Sequence, residues 1–353
     1  MFKADLLGLS DARKCVLAIF LLFELANAEG ADWIRPGVNT NQPIWGLNGG
    51  NQFAIYPGGF RGRDGGPRGL LRLGSPILAA GECDLVNFIA VEPVVAGRKG
   101  FSELEQSQLD GLPGKRFWTG SGNSNVASAV TADPGRLTLL AGGVEQLEVT
   151  VHVERFDNGA HVSLLISQRS DRPDEIRLKI HAEADSAMME TCTLTATMGN
   201  MARTRLLWLA DRVVTARALY PDYHELGFAE HSHFPLDQLY RTAQGDTLVA
   251  VTTDEEHPES VFPFAGTRNW HYDGASVTQY WRKEREDVAR RLEVWVNGRY
   301  VYWQSKQPIP GGLAFENFEL REPFVEGQTV CFGITRRTPA QLGFSAKVTT
   351  SAP

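Results

Sequence analysis

Cysteine is scarce in this chain: four among 353 residues, at positions 15, 83, 192 and 331, with no Cys-x-x-Cys pair. That excludes a disulfide-stapled scaffold and the spaced zinc and dithiol motifs. Long apolar runs are missing too. Residues 15–23 form the most extended one, about half of the ~20 residues a bilayer span requires. Basic charge is in deficit, 35 Lys and Arg against 42 Asp and Glu for a net charge of −7, so there is no global cationic footprint for nucleic acid or anionic lipid. The Gly-x-Gly-x-x-Gly and Walker spacings of nucleotide-binding loops do not occur. The composition still fits a folded chain with a large core, because 42% of the residues are hydrophobic.

What is present begins with a processing signal. Arg13 and Lys14 precede the apolar run, and Ala26-Asn27-Ala28 follows it with the small-x-small spacing of a signal-peptidase site. Residues 1–28 read as a secretory signal peptide. Residues 29–353 then form the mature protein, secreted or periplasmic, with no membrane span after cleavage. A buried N-terminal helix is the other reading of the run, since Glu24 interrupts it and Asp5 and Asp11 dilute its basic end. Cleavage leaves Cys83, Cys192 and Cys331, thiols that either bury as small apolar groups or form one disulfide.

Beyond residue 29 the helical signal nearly vanishes. Short β-rich runs recur at 51–56, 85–91, 137–140, 145–154, 161–167, 176–182, 191–197, 206–209, 247–252, 292–296, 301–304 and 330–334, separated by Gly, Pro, Asn and Asp. In Val149-Thr150-Val151-His152-Val153 the valines share one face, as expected where one side of a sheet packs on a core. Asn158-Gly159 and Asn297-Gly298 each sit between two such runs and predict hairpins, because Asn-Gly supplies the positive φ of a tight turn. Only 101–109 and 284–291 look helical. No repeat or long linker divides the chain, so the pattern predicts one all-β unit over 29–353, a large antiparallel β-sandwich.

Four constellations carry the candidate chemistry. The first runs from Trp45 through Gly49-Gly50 and the strand ending at Pro57 to a Gly-rich loop at 58–69, then Pro67-Arg68-Gly69 and Arg72. Arg61, Arg63, Arg68 and Arg72 offer planar donor forks for carboxylate or sulfate, unless the loop is an irregular surface turn with solvated arginines. A Gly-Gly leading into an apolar strand and Pro, then Pro-Arg-Gly and a further Arg, resembles the N-terminal part of the galactose mutarotase-like β-supersandwich superfamily. The resemblance covers about a tenth of the chain. It implies an antiparallel supersandwich, a sugar cleft on the concave face of the sheet with the arginine beside it, and a carbohydrate ligand. Arg68 stands where aldose epimerases of that group carry His, so the resemblance does not extend to epimerase activity.

The second constellation is Glu92 at the end of an apolar run, with Glu103 and Glu105 following. Either Glu92 pairs with Arg98 or Lys99 and the other two are solvated, or the three converge for glycoside acid/base chemistry. The third, 220–234, concentrates Tyr223, His224, His231 and His233. On a strand His231 and His233 point the same way, and can serve as base with Tyr223 as proton donor or, less favoured, hold a divalent metal; solvated loop histidines are the plainer reading. The fourth gathers Trp270, His271, Trp281, Arg282, Arg299, Trp303 and Glu316, a mixture of flat apolar rings and polar partners suited to sugars or to core pairing.

The sequence thus predicts an exported enzyme that degrades a polysaccharide or glycoside, without a required cofactor, its partner a carbohydrate; an acidic sugar would account for basic loops on an acidic protein. In a lyase, Arg68 and Arg282 neutralise a sugar carboxylate, with His231 or His233 as base and Tyr223 as acid. In a hydrolase, Glu92 works with Glu103 or Glu316. Arg72, Trp270, His271, Trp281 and Trp303 complete the expected binding residues. The alternative from another class is a non-catalytic carbohydrate-binding or surface-assembly protein.

Overall fold

The computed structural model describes residues 30–60, 66–78, 80–120, 132–197, 199, 201–255, 276–303 and 305–346. The signal expected over 1–28, and Arg61, Arg63, Trp270 and His271, lie outside them. The chain divides into Met1–Asp32, of which only residues 30–32 are described, and Trp33–Pro353, which carries the fold.

The strands are β1 (Trp33–Ile34), β2 (Ile44–Leu47), β3 (Gln52–Ala54), β4 (Leu70–Ser75), β5 (Asp84–Val95), β6 (Arg98–Lys99), β7 (Phe117–Thr119), β8 (Arg136–Leu139), β9 (Glu145–Val153) and β10 (Val162–Arg169). They continue with β11 (Glu175–Ala182), β12 (Thr191–Thr197), β13 (Thr204–Trp208), β14 (Val213–Thr215), β15 (Ser232–Pro235), β16 (Tyr240–Arg241), β17 (Thr247–Thr253), β18 (Thr278–Lys283), β19 (Glu293–Arg299), β20 (Ala314–Arg321) and β21 (Thr329–Thr335). A single turn of α-helix, α1 (Ala216–Leu219), follows β14.

Two large antiparallel sheets pack as a sandwich, as the periodicity predicts. The first runs β1-β2-β3-β4-β5-β12-β20-β19-β15, with β6 on β5; the second runs β14-β13-β17-β18-β21-β11-β10-β9-β7, with β16 on β17 and β8 on β9. Between them, Val91, Leu194, Phe318, Leu320 and Val294 of the first sheet are buried, as are Val149, Val151, Ile166, Leu178, Val249 and Phe332 of the second. Trp281 on β18 joins the two layers: its ring lies 4.5 Å from Phe332 and 6.4 Å from Phe318, and its indole N–H donates to the Phe318 carbonyl at 2.8 Å. Asn87 on β5 donates to Gln279 on β18 at 2.5 Å, a second polar tie across the layers.

Several local expectations need correction. The hairpin through Asn158-Gly159 forms between β9 and β10, but Asn297-Gly298 is no turn. It lies inside β19, where the register against β20 shifts, and the Asn297 side-chain oxygen accepts the Asn317 N–H at 3.0 Å. Pairing with a long neighbouring strand overrides the local turn preference, and the extra residue becomes a bulge. Of the run expected at 301–304, the described residues 301–303 form no strand: Val301 makes an isolated bridge to Pro308. The stretch at 284–291 yields one 3₁₀ turn, Arg285–Asp287, and 101–109 is a chain of turns. Among the described residues no helix is long and apolar enough to cross a membrane.

Candidate active site

The outer face of the first sheet is polar where a solvated face would be, yet much of it is buried. Residues paired across antiparallel strands share a face. The register therefore lays out one row, Ala90–Thr195–Glu319–Trp295–His233, across β5, β12, β20, β19 and β15. Glu92 pairs with Thr193 beside it, and Arg321 pairs with Glu293. The intervening residues on each strand point into the core, so sequence parity alone sets this division.

Glu319 is the hub. The Thr195 hydroxyl donates to its Oε2 at 2.6 Å, the Arg321 Nε–H donates to its Oε1 at 2.6 Å, and His231 Nε2 lies 3.7 Å from Oε1. Glu92, buried on β5, is held well above the usual carboxylate range, first by loss of water and then by repulsion from Glu319 and Glu103. Burial likewise lifts Glu103 to about 7, with Glu105 and Glu319 adding to the effect. Thr195 also bonds to Glu92. That contact pulls the Glu92 pKa down, but the loss of water and the two neighbouring carboxylates outweigh it. Burial lowers the His231 pKa against the pull of Glu319, which favours a neutral imidazole.

Glu103 comes from the turn region after β6, and its position has a visible support. Ser102 Oγ donates to the Gly69 carbonyl at 2.6 Å and accepts the Val91 N–H at 2.9 Å. Gly69 has φ +74°, and a Cβ there would collide with the Ser102 backbone carbonyl. The glycine of Pro67-Arg68-Gly69 thus lets one backbone segment approach another. Glu105 braces the same turns, accepting N–H bonds from Phe101 at 3.1 Å and Asp157 at 2.9 Å and pairing with Lys115 at 3.1 Å.

An open cleft of about 1170 Å³ runs along this face, lined by Glu92, Thr191, Thr193, Trp295 and Arg321 and by residues 235–237, 239, 241 and 290–293; of the three carboxylates Glu92 is the one that lines it. Trp295 forms part of its wall. The Arg321 guanidinium sits 4.0 Å from the indole centroid, the His233 ring stacks on it at 5.0 Å, and the His231 ring lies at 5.8 Å.

The structure therefore brings Glu92, Glu103, His231 and His233 to one face. It places the other expected residues differently. Glu316 lies three residues from Glu319, and strand parity turns it to the opposite side, fully buried 3.9 Å from Arg299 Nη1. Tyr223 follows α1 in a loop beside Gly227, its pKa raised by burial and by Glu225. Arg68 Nη1 donates to both oxygens of Asp110 at 3.0 and 3.1 Å. Arg72 donates to the carbonyls of Gly66, Pro67 and Leu70, closing the turn in front of β4. Arg282 lies on the second sheet, bound to both oxygens of Glu175 at 2.6 and 2.8 Å and to Asp246 at 2.7 Å. Trp281 is a core residue, and Trp303 lies half-buried in the turns after β19. Among the described residues, no group of three or more His, Cys, Asp or Glu is arranged to hold a metal ion.

Sequence reasoning missed Glu319, Thr195, Trp295 and Arg321. Read as a strand, 314–321 would have put Phe318 and Leu320 inward and Glu319 and Arg321 outward. Compared with known proteins, the chain matches no family model, no curated protein and no solved structure.

Proposed function

We propose that the protein is a carbohydrate-active enzyme that hydrolyses glycosidic bonds, with Glu92 as general acid and Glu319 as base or nucleophile. The observation that carries this is the meeting of Glu92, Glu103 and Glu319 behind the wall of a large cleft that Glu92 itself lines, two of them shifted and the third held by Arg321 and Thr195. Glycoside hydrolysis needs such a division: one carboxyl group that keeps its proton near neutral pH, and one that acts as an anion. Glu92 passes its proton to the oxygen leaving the anomeric carbon. Glu319 takes a proton from the attacking water or bonds to that carbon itself. Thr195, in contact with both carboxyl groups, offers a path by which the proton returns to Glu92. Trp295 supplies an apolar wall for sugar C–H groups.

Convergence of titratable groups favours an enzyme over a passive carbohydrate binder, which would present flat aromatic rings without buried acids. The lyase arrangement has less support, because Arg282 is engaged on the second sheet and Tyr223 stands beside Arg299 rather than in the carboxylate row. A signal peptide over residues 1–28 fits a substrate outside the cytoplasm.

The test is incubation with neutral and uronic polysaccharides and glycosides, following new reducing ends and the absorbance of unsaturated products. We expect reducing ends without unsaturation, and a loss of roughly 10²–10⁴-fold in turnover for Glu92→Gln and for Glu319→Gln. Since the acid must be protonated, activity should disappear as pH rises through the raised Glu92 value. Binding without turnover across the whole panel would sink the enzyme reading, and unsaturated products would replace hydrolase with lyase.

A further inference from the structure

The charged side chains that line the cleft differ in what already holds them. On the acidic side, Glu322 pairs with Lys283 at 2.5 Å, Glu293 accepts the Trp295 indole N–H at 2.9 Å, and Glu190 accepts the Gly97 N–H at 2.9 Å. On the basic side, Arg321 is committed to Glu319. Arg241, Arg290 and Arg291 also line the cleft and are exposed. Among the described residues none of the three has a carboxylate within ion-pairing distance, and the nearest polar contact is a long one, 3.4 Å from Arg241 Nη1 to the Gly245 carbonyl. Among the described residues Asp237 is the exposed lining carboxylate without a hydrogen bond or ion pair of its own, so these three guanidinium groups and the exposed Lys99 outnumber the free carboxylates on the cleft wall.

We infer that Arg241, Arg290 and Arg291 form a subsite for an anionic group on the sugar, a uronate carboxylate or a sulfate ester. This rests on the carbohydrate reading above and adds the charge of the ligand. Guanidinium forks match both anions in a bidentate manner. The arginines come from two places, β16 and the turn before β19, and reach one cavity. An anionic sugar would thus be held by residues other than Arg68 and Arg282, whose forks are filled by Asp110, Glu175 and Asp246. The cations that act on the buried acids are others, Arg321 on Glu319 and Lys99 on Glu92, so binding charge and reacting carboxyls do not compete for the same partners.

The experiment is calorimetric titration of the full chain with three tetrasaccharides: a galacturonate tetramer, its methyl ester, and a sulfated galactan tetramer whose only charges are sulfate esters. We expect the charged tetramers to bind about tenfold more tightly than the ester at low ionic strength, with the gap closing as salt is added. The tighter of the two charged ligands identifies carboxylate or sulfate as the anion read. In the Arg290→Ala/Arg291→Ala variant, and separately in Arg241→Ala, the preference should shrink while affinity for the ester stays unchanged. Equal binding of ester and charged tetramers by the wild type, or a preference that survives all three substitutions, overturns the anionic subsite and leaves the carbohydrate reading standing. Failure of every tetramer to bind overturns the anionic subsite, and the carbohydrate reading falls with it only if the neutral glycosides are also neither bound nor cleaved.

Discussion

A carboxyl group that loses water without gaining a close cation is stabilised as the neutral acid. Glu316 is the plainest case: it is fully buried, Arg299 Nη1 stands off at 3.9 Å, and its Oε2 has no hydrogen-bond partner among the described residues. Burial pushes it up to about 8 from an ordinary 4.5. The folded protein therefore keeps a proton that the unfolded chain has lost, and between those two values stability falls as pH rises, by up to about 1.4 kcal/mol per pH unit. We expect Glu316→Gln to flatten that slope in melting curves taken across the window. A slope identical to wild type would mean that Glu316 ionises without cost in the fold. Glu92 and Glu103 are raised by the same physics, and will leave part of the slope in place. What separates them from Glu316 is their surroundings: a cleft, a shared threonine and a third carboxylate. A raised pKa marks burial, and only this company suggests chemistry.

At the scale of the element, the candidate site depends on how turns are fastened to strands. Ser102 ties the segment carrying Glu103 to β5 and to the residue before β4 through two buried backbone groups. Ser102→Ala would strand both, so we expect a loss of about 1–3 kcal/mol in denaturant unfolding, together with a fall in turnover as Glu103 drifts. An unfolding midpoint unchanged from wild type would show that neither bond matters. Much of this level was legible in the sequence. The 191–197 run is β12 as it stands, and the valine alternation of β9 gave its buried face. The strand that carries Glu319 was not legible, for a physical reason. In Phe315-Glu316-Asn317-Phe318-Glu319 the phenylalanines are three apart and polar residues stand on both faces, because Glu316 is buried against Arg299 on the inner side. Period-two alternation, the main signal of a half-buried strand, is broken by the very residue that was expected to be catalytic.

At the scale of the molecule, the sandwich gives its tryptophans opposite tasks. From the sequence Trp281 is expected as a sugar platform or a core residue, and Trp295 is not singled out; β18 and β19 carry them in different sheets. β18 turns Trp281 toward the first sheet, where it contacts Phe318 and Phe332 with almost no exposure. β19 turns Trp295 outward onto the cleft, under Arg321 and beside His233. Removing Trp281 opens a large hole between the layers, and Trp281→Ala should cost about 3–5 kcal/mol of stability. Trp295→Ala removes ring contacts on a solvent-facing surface, so its melting temperature should stay near wild type. Its effect belongs to the site: Arg321 loses the ring that steadies it against Glu319, and the cleft loses an apolar wall. We expect kcat/KM on a cleaved glycoside to fall by roughly tenfold or more. The pair of variants separates fold from function. If Trp295→Ala unfolds as readily as Trp281→Ala, the outer face is a second core and not a binding surface; if it melts like wild type and turns over like wild type, the catalytic site lies elsewhere on the protein.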